Sequence, residues 1–106
     1  MEKKTLAEVQ VDIGGQLVKS FPHLSESEKK EMCRCGLVGE VGEVMEIFKG
    51  DIRRYPKDLE CCTVDHLKSE LGDVLWYLTA LCELYDTSLD EIFRLNCEKL
   101  DGRNWR

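Results

Sequence analysis

Two short acidic motifs could do chemistry through their spacing. Glu40-Val-Gly-Glu43 carries two carboxylates three residues apart, and Glu70-Leu-Gly-Asp73 repeats the arrangement after 26 intervening residues. On a helix, positions i and i+3 share a face about one turn apart, so each motif would form a two-carboxylate claw. Both claws are embedded in apolar residues: Leu37-Val38, Val41 and Val44 around the first, Leu71 and Val74-Leu75 around the second. Carboxylates crowded near a core repel, by about 3 kcal/mol per pair at about 5 Å in an effective dielectric near 20. A hard divalent cation relieves that repulsion. Mg²⁺ suits an all-oxygen site because it keeps positions open for water and substrate phosphates. A single acidic pair of this kind is commonly just a solvated helix face; recurrence on two helices is the stronger signal. Glu46 extends the first acidic line by a turn, as a further ligand, a water-orienting base or a plain surface glutamate.

A phosphate-handling site also needs cations. Lys49, Arg53 and Arg54 follow the first claw, and Lys99 and Arg103 lie near the C-terminus; any one of them taken alone reads first as ordinary surface charge. The six cysteines, Cys33, Cys35, Cys61, Cys62, Cys82 and Cys97, read as reduced thiols, since no export signal precedes them. Cys82 and Cys97 fall on apolar helical faces, where cysteine acts as a small hydrophobe. Zinc on the Cys33/Cys35 and Cys61/Cys62 pairs with His66 is a lesser alternative, because these spacings differ from those of structural zinc pairs.

The elements that must hold the claws are helices. An amphipathic stripe of Leu6, Val9, Ile13 and Leu17 runs from about Thr5 to Val18. A capping box at Ser25-Glu26-Ser27-Glu28 opens a second helix, expected to reach about Lys49 and stop at Gly50. A loop with Pro56 and a basic cluster of Arg53, Arg54 and Lys57 follows, to about Cys62. The third helix, about Val64 to Tyr85, capped by Thr63 or Asp65, carries leucines on more than one face and should be central. Asp86-Thr87 breaks it, Ser88 to Glu91 forms another capping box, and a fourth helix runs to a stop near Gly102. No β alternation of useful length exists, so the expected fold is an all-α four-helix bundle, its core completed by oligomerisation. Gly36, Gly39 and Gly42, spaced by three, read as a close helix–helix contact, since each interior glycine costs about 1 kcal/mol.

The chain has 106 residues, one domain's worth, with a net charge of −6 and a pI near 4.9. That charge argues against a nucleic-acid polymer or an acidic membrane as partner. No apolar run approaches the ~20 residues of a membrane span, so a cytoplasmic location is expected.

The motifs in context resemble a known family. Gly36-Leu-Val-Gly-Glu40-Val-Gly-Glu43-Val-Met-Glu46, then Ser69-Glu70-Leu-Gly-Asp73-Val-Leu-Trp76-Tyr77-Leu78, with the tail Asn96-x-x-Lys99-Leu100-x-x-Arg103, is similar to the MazG-like all-α nucleoside triphosphate pyrophosphohydrolases. The resemblance covers roughly residues 25 to 103. It implies Mg²⁺-dependent hydrolysis, with Mn²⁺ as a substitute, of a nucleoside triphosphate (a dNTP or a non-canonical NTP) to the monophosphate and pyrophosphate. Glu40, Glu43, Glu70 and Asp73 would be the metal ligands and catalytic centre, and a water would attack the α-phosphorus. Tyr77, Asn96, Lys99 and Arg103 would contact sugar or phosphates. Trp76 would stack on a base or serve as a core aromatic, and His23 could approach the nucleotide. A homodimer or homotetramer with composite sites is also implied. The alternative is a non-catalytic helical interaction module that keeps the metal site as a structural element.

Overall fold

The computed structural model describes residues 3–54 and 59–102, with side chains described for residues 3–47 and 64–102. It is all-α, as expected: α1 (Leu6–Ser20), α2 (Glu26–Arg54), α3 (Leu59–Leu84) and α4 (Leu89–Gly102), with no strand among the described residues.

Local chemistry sets three helix starts. The Thr5 hydroxyl oxygen accepts from the Glu8 N–H at 3.1 Å, while the Glu8 carboxylate accepts from the Thr5 N–H at 3.0 Å. Ser25 and Glu28 make the same reciprocal pair at 3.1 and 2.9 Å. These backbone donors hold the Glu8 and Glu28 carboxyls below the usual carboxylate range. At α4 the box is half-built: Ser88 accepts from the Glu91 N–H, but the Glu91 carboxylate takes the Thr87 hydroxyl instead. The end of α3 closes with Asp86 in the left-handed region, φ 56°, the Asp86 N–H on the Glu83 carbonyl and the Thr87 N–H on the Cys82 carbonyl. That paired pattern satisfies two of the helix's free carbonyls.

Two boundaries differ from expectation. Helix α2 continues through Gly50 to Arg54, and α3 begins at Leu59, so Thr63 and Asp65 are interior rather than caps. A mid-helix glycine costs only about 1 kcal/mol, which neighbouring turns can absorb. The centre of the expected loop, with Pro56 and Lys57, lies outside the described residues, as do the side chains of Arg53 and Arg54.

Helix α3 is the hub, packing against both α1 and α2. Residues near the start of α2 face the end of α3 and later ones face its middle (Gly36 with Tyr77, Glu40 with Asp73), so the two helices run antiparallel. Ile13, Leu17, Cys33 and Ala80 form the buried core, flanked by Met32, Trp76, Tyr77 and Leu81. Cys33 and Cys82 are buried and Cys35 is exposed, so Cys33 and Cys35 do not present a common ligand face. Burial pushes the Cys33 and Cys82 thiols up, which makes them poorer metal ligands. The Cys61 and Cys62 side chains lie outside the described residues.

The glycine stripe is corrected. A Cβ on Gly36 would fall 2.2 Å from Cε1 of the Tyr77 ring, whereas a Cβ on Gly39, Gly42 or Gly72 would meet nothing within 4 Å. At about 100° per residue, each three-residue step turns the next glycine about 60° away from the last. Only Gly36 therefore faces α3. The opposite face of α2 is apolar and open, with Val38 73%, Val41 47% and Met45 63% exposed.

Gly36→Ala is expected to lose about 0–2 kcal/mol in urea unfolding, because overpacking costs about 1–3 kcal/mol and helix propensity returns about 1. Gly39→Ala should gain about 0.5–1 kcal/mol. Equal stability of the two variants would sink the notch between α2 and α3.

Candidate metal centre

Antiparallel packing of α2 on α3 brings three of the four claw carboxylates together. Ligand oxygens of Glu40, Glu70 and Asp73 all lie within 4.8 Å of one another. Glu40 and Glu70 are half-buried and Asp73 is exposed. Glu43 is exposed and lies outside this triad, yet close enough for its charge to act on Glu40. Glu46 is exposed on the next turn.

The electrostatics carry the signature of a cation site. The Glu40 carboxyl is pushed above the usual carboxylate range, first by desolvation, then by the charges of Asp73, Glu70 and Glu43, and by a hydrogen bond shared with Glu70. Three hard oxygen donors without a thiol or imidazole among them match the preference of Mg²⁺ or Mn²⁺ and disfavour a soft-metal site.

Beside the triad, Glu40, Asp73, Trp76 and Tyr77 line a cleft of about 340 Å³. Trp76 and Tyr77 meet edge to face, ring centroids 5.2 Å apart at 79°. Both rings also pack against the buried core, so each combines a structural contact with a wall of the cleft. The Gly36 notch seats the Tyr77 ring; sequence spacing pointed to the glycine but not to its ring partner.

Of the other expected contacts, Asn96 does not line this cleft. Asn96 lines a separate apolar groove of about 770 Å³ with Leu75, Leu78 and Phe93. Leu75 and Leu78 lie about 140–200° round α3 from Asp73, so this groove is on the back of the helix that bears the claw. Lys99 is exposed on the last turn of α4. Arg103 and the Lys49 side chain lie outside the described residues. His23 is exposed beside Phe21, ring centroids 6.5 Å apart.

This site falls inside a recognised domain. The family model of the MazG nucleotide pyrophosphohydrolase domain matches residues 28–105, spanning both claws, the cleft and the tail. The chain belongs to the MazG nucleotide pyrophosphohydrolase family. Gene 37 protein of Mycobacterium phage L5 is 37% identical to it over 71 residues. That stretch is 67% of this chain and 62% of the phage protein. No solved structure matches. The matched domain is that of a nucleotide pyrophosphohydrolase, and among the described residues Glu40, Glu70 and Asp73 form an acidic cluster able to hold a metal ion. Among those residues, no helix is long and apolar enough to cross a membrane.

The raised Glu40 pKa has a testable sign. A carboxyl whose folded pKa exceeds its unfolded value stabilises fully below the unfolded value, and that contribution is lost as pH rises through the folded pKa. In chelator, stability carried by Glu40 should therefore fall as pH rises out of the carboxylate range, and Glu40→Gln should remove that part of the loss. Divalent-cation affinity should rise over the same range as the proton is displaced. Urea titrations of both proteins, with and without cation, measure this; identical pH profiles would exclude Glu40 from the role.

Proposed function

We propose that this MazG domain hydrolyses a nucleoside triphosphate, a dNTP or a non-canonical NTP, to the monophosphate and pyrophosphate with Mg²⁺ as cofactor. The observation that carries the reading is the convergence of Glu40, Glu70 and Asp73 at the edge of an aromatic-walled cleft. Those three residues, with Glu43 one turn along α2, would hold the cation. When bound, Mg²⁺ supplies Lewis-acid stabilisation of phosphate oxygens and a water of lowered pKa.

The chain's own residues divide the remaining work. A carboxylate outside the metal shell would accept a proton from the attacking water, and Glu46, exposed on the next turn of α2, is in register to serve. Water adds to the α-phosphorus, the bond from that phosphorus to the α,β-bridging oxygen breaks, and pyrophosphate leaves. Trp76 offers a flat apolar face for a base, and the Tyr77 hydroxyl is a donor for sugar or phosphate. The cleft itself is acidic, so phosphate charge must also be met by cations from elsewhere. Lys99 and Arg103 are proposed for that part, with the Asn96 amide as a neutral hydrogen-bond donor, delivered by a second copy. Twelve large apolar residues among those described are exposed, including Phe93 at 70%, and α4 is amphipathic with no buried residue. A homodimer or homotetramer covers such surfaces.

The decisive experiment is a screen of canonical and modified nucleoside triphosphates with both products quantified. Magnesium-dependent release of monophosphate and pyrophosphate in equal amounts is expected, with Asp73→Asn lowering kcat by about 10²-fold or more while the helical spectrum persists. Absence of pyrophosphate across the whole panel would overturn the reading. Sedimentation velocity is expected to give a dimer or tetramer, shifted toward monomer by Phe93→Asp; a monomeric wild type would count against the composite site.

A further inference from the structure

The ion pairs among the described residues include one that involves a claw carboxylate. His66 stands one turn before Glu70 on α3, with Nε2 3.7 Å from Glu70 Oε1. The two side chains differ in setting: His66 is 61% exposed, while Glu70 is 19% exposed and belongs to the triad. An exposed i,i+4 pair on a helix contributes little to stability, so folding alone gives this contact no weight. Its position gives it another use. A carboxylate that commits an oxygen to a cation keeps a second oxygen, and a hydrogen bond to that oxygen fixes the plane of the group. His66 approaches from the solvent side, within a small side-chain adjustment of hydrogen-bonding distance.

We infer that His66 is a positioning residue for the metal centre: as a neutral imidazole it donates from Nε2 to Glu70 and holds that carboxylate in its ligating orientation. The inference rests on the metal-centre reading above. It assigns His66 to an oxygen-ligated cation through Glu70, in place of direct ligation of zinc alongside cysteines.

The test is Mn²⁺ binding without nucleotide, followed by the electron paramagnetic resonance of the free ion. His66→Ala is expected to weaken Mn²⁺ binding about tenfold, and His66→Gln, which keeps an N–H donor, to recover most of the loss. Unfolding in chelator should be the same for all three proteins, which separates positioning from a structural role. In a Glu70→Gln background, His66→Ala should have no further effect on Mn²⁺ affinity, the non-additivity of a coupled pair. Wild type that binds Mn²⁺ with an affinity unchanged in His66→Ala overturns the positioning role alone. Wild type that binds no Mn²⁺ overturns it together with the metal centre.

Discussion

Mutual repulsion among Glu40, Glu70 and Asp73 is the constraint around which the rest of the molecule is arranged. Like charges within 4.8 Å separate unless the elements that bear them are held. Here the two bearing helices are the longest in the chain, packed antiparallel along the claws. The notch at Gly36 lets the Tyr77 ring seat directly against α2, one turn before Glu40 and one turn after Asp73. Buried Cys33 and Ala80 continue the contact on the side away from the claws. Desolvation, followed by the charges of Asp73, Glu70 and Glu43, pushes the Glu40 carboxyl above the usual carboxylate range.

The same helix serves two surfaces. One face of α3 carries Asp73 and the aromatic pair toward α2, and the other presents Leu75 and Leu78 to the groove under α4. A helix apolar on more than one side has to be central, and α3 is. Helix α4 has the strongest amphipathic pattern and no buried residue, and its Leu89, Ile92 and Phe93 line the groove with Leu75 and Leu78 rather than joining the buried core.

Much of this was legible in the sequence, for identifiable reasons. Capping chemistry is local, so Ser25 with Glu28 marked the start of α2, and Asp86-Thr87 marked the end of α3. The claws were legible because i,i+3 spacing is a property of one helix. What needed two helices was not. Gly36, Gly39 and Gly42 look alike in sequence, and only the angular position relative to α3 separates the one that meets Tyr77 from the two that meet nothing. Glu43 and Glu40 share a motif, yet the crossing of α2 on α3 gathers Glu40 into the triad and leaves Glu43 at its margin. Gly50 read as a stop because glycine often follows a helix, but the continuation to Arg54 overrode that preference. Asn96 was grouped with the claws by motif order, whereas the topology of one chain puts it on the back of α3.

The Gly36–Tyr77 contact also ties the packing of α2 on α3 to the shape of the cleft. A ring atom 2.2 Å from where a Cβ would stand leaves no room for independent change. A side chain can grow at 36 only if the ring at 77 shifts or shrinks. Because that ring is also a wall of the cleft, a side chain added at position 36 would change the shape of the cleft from behind.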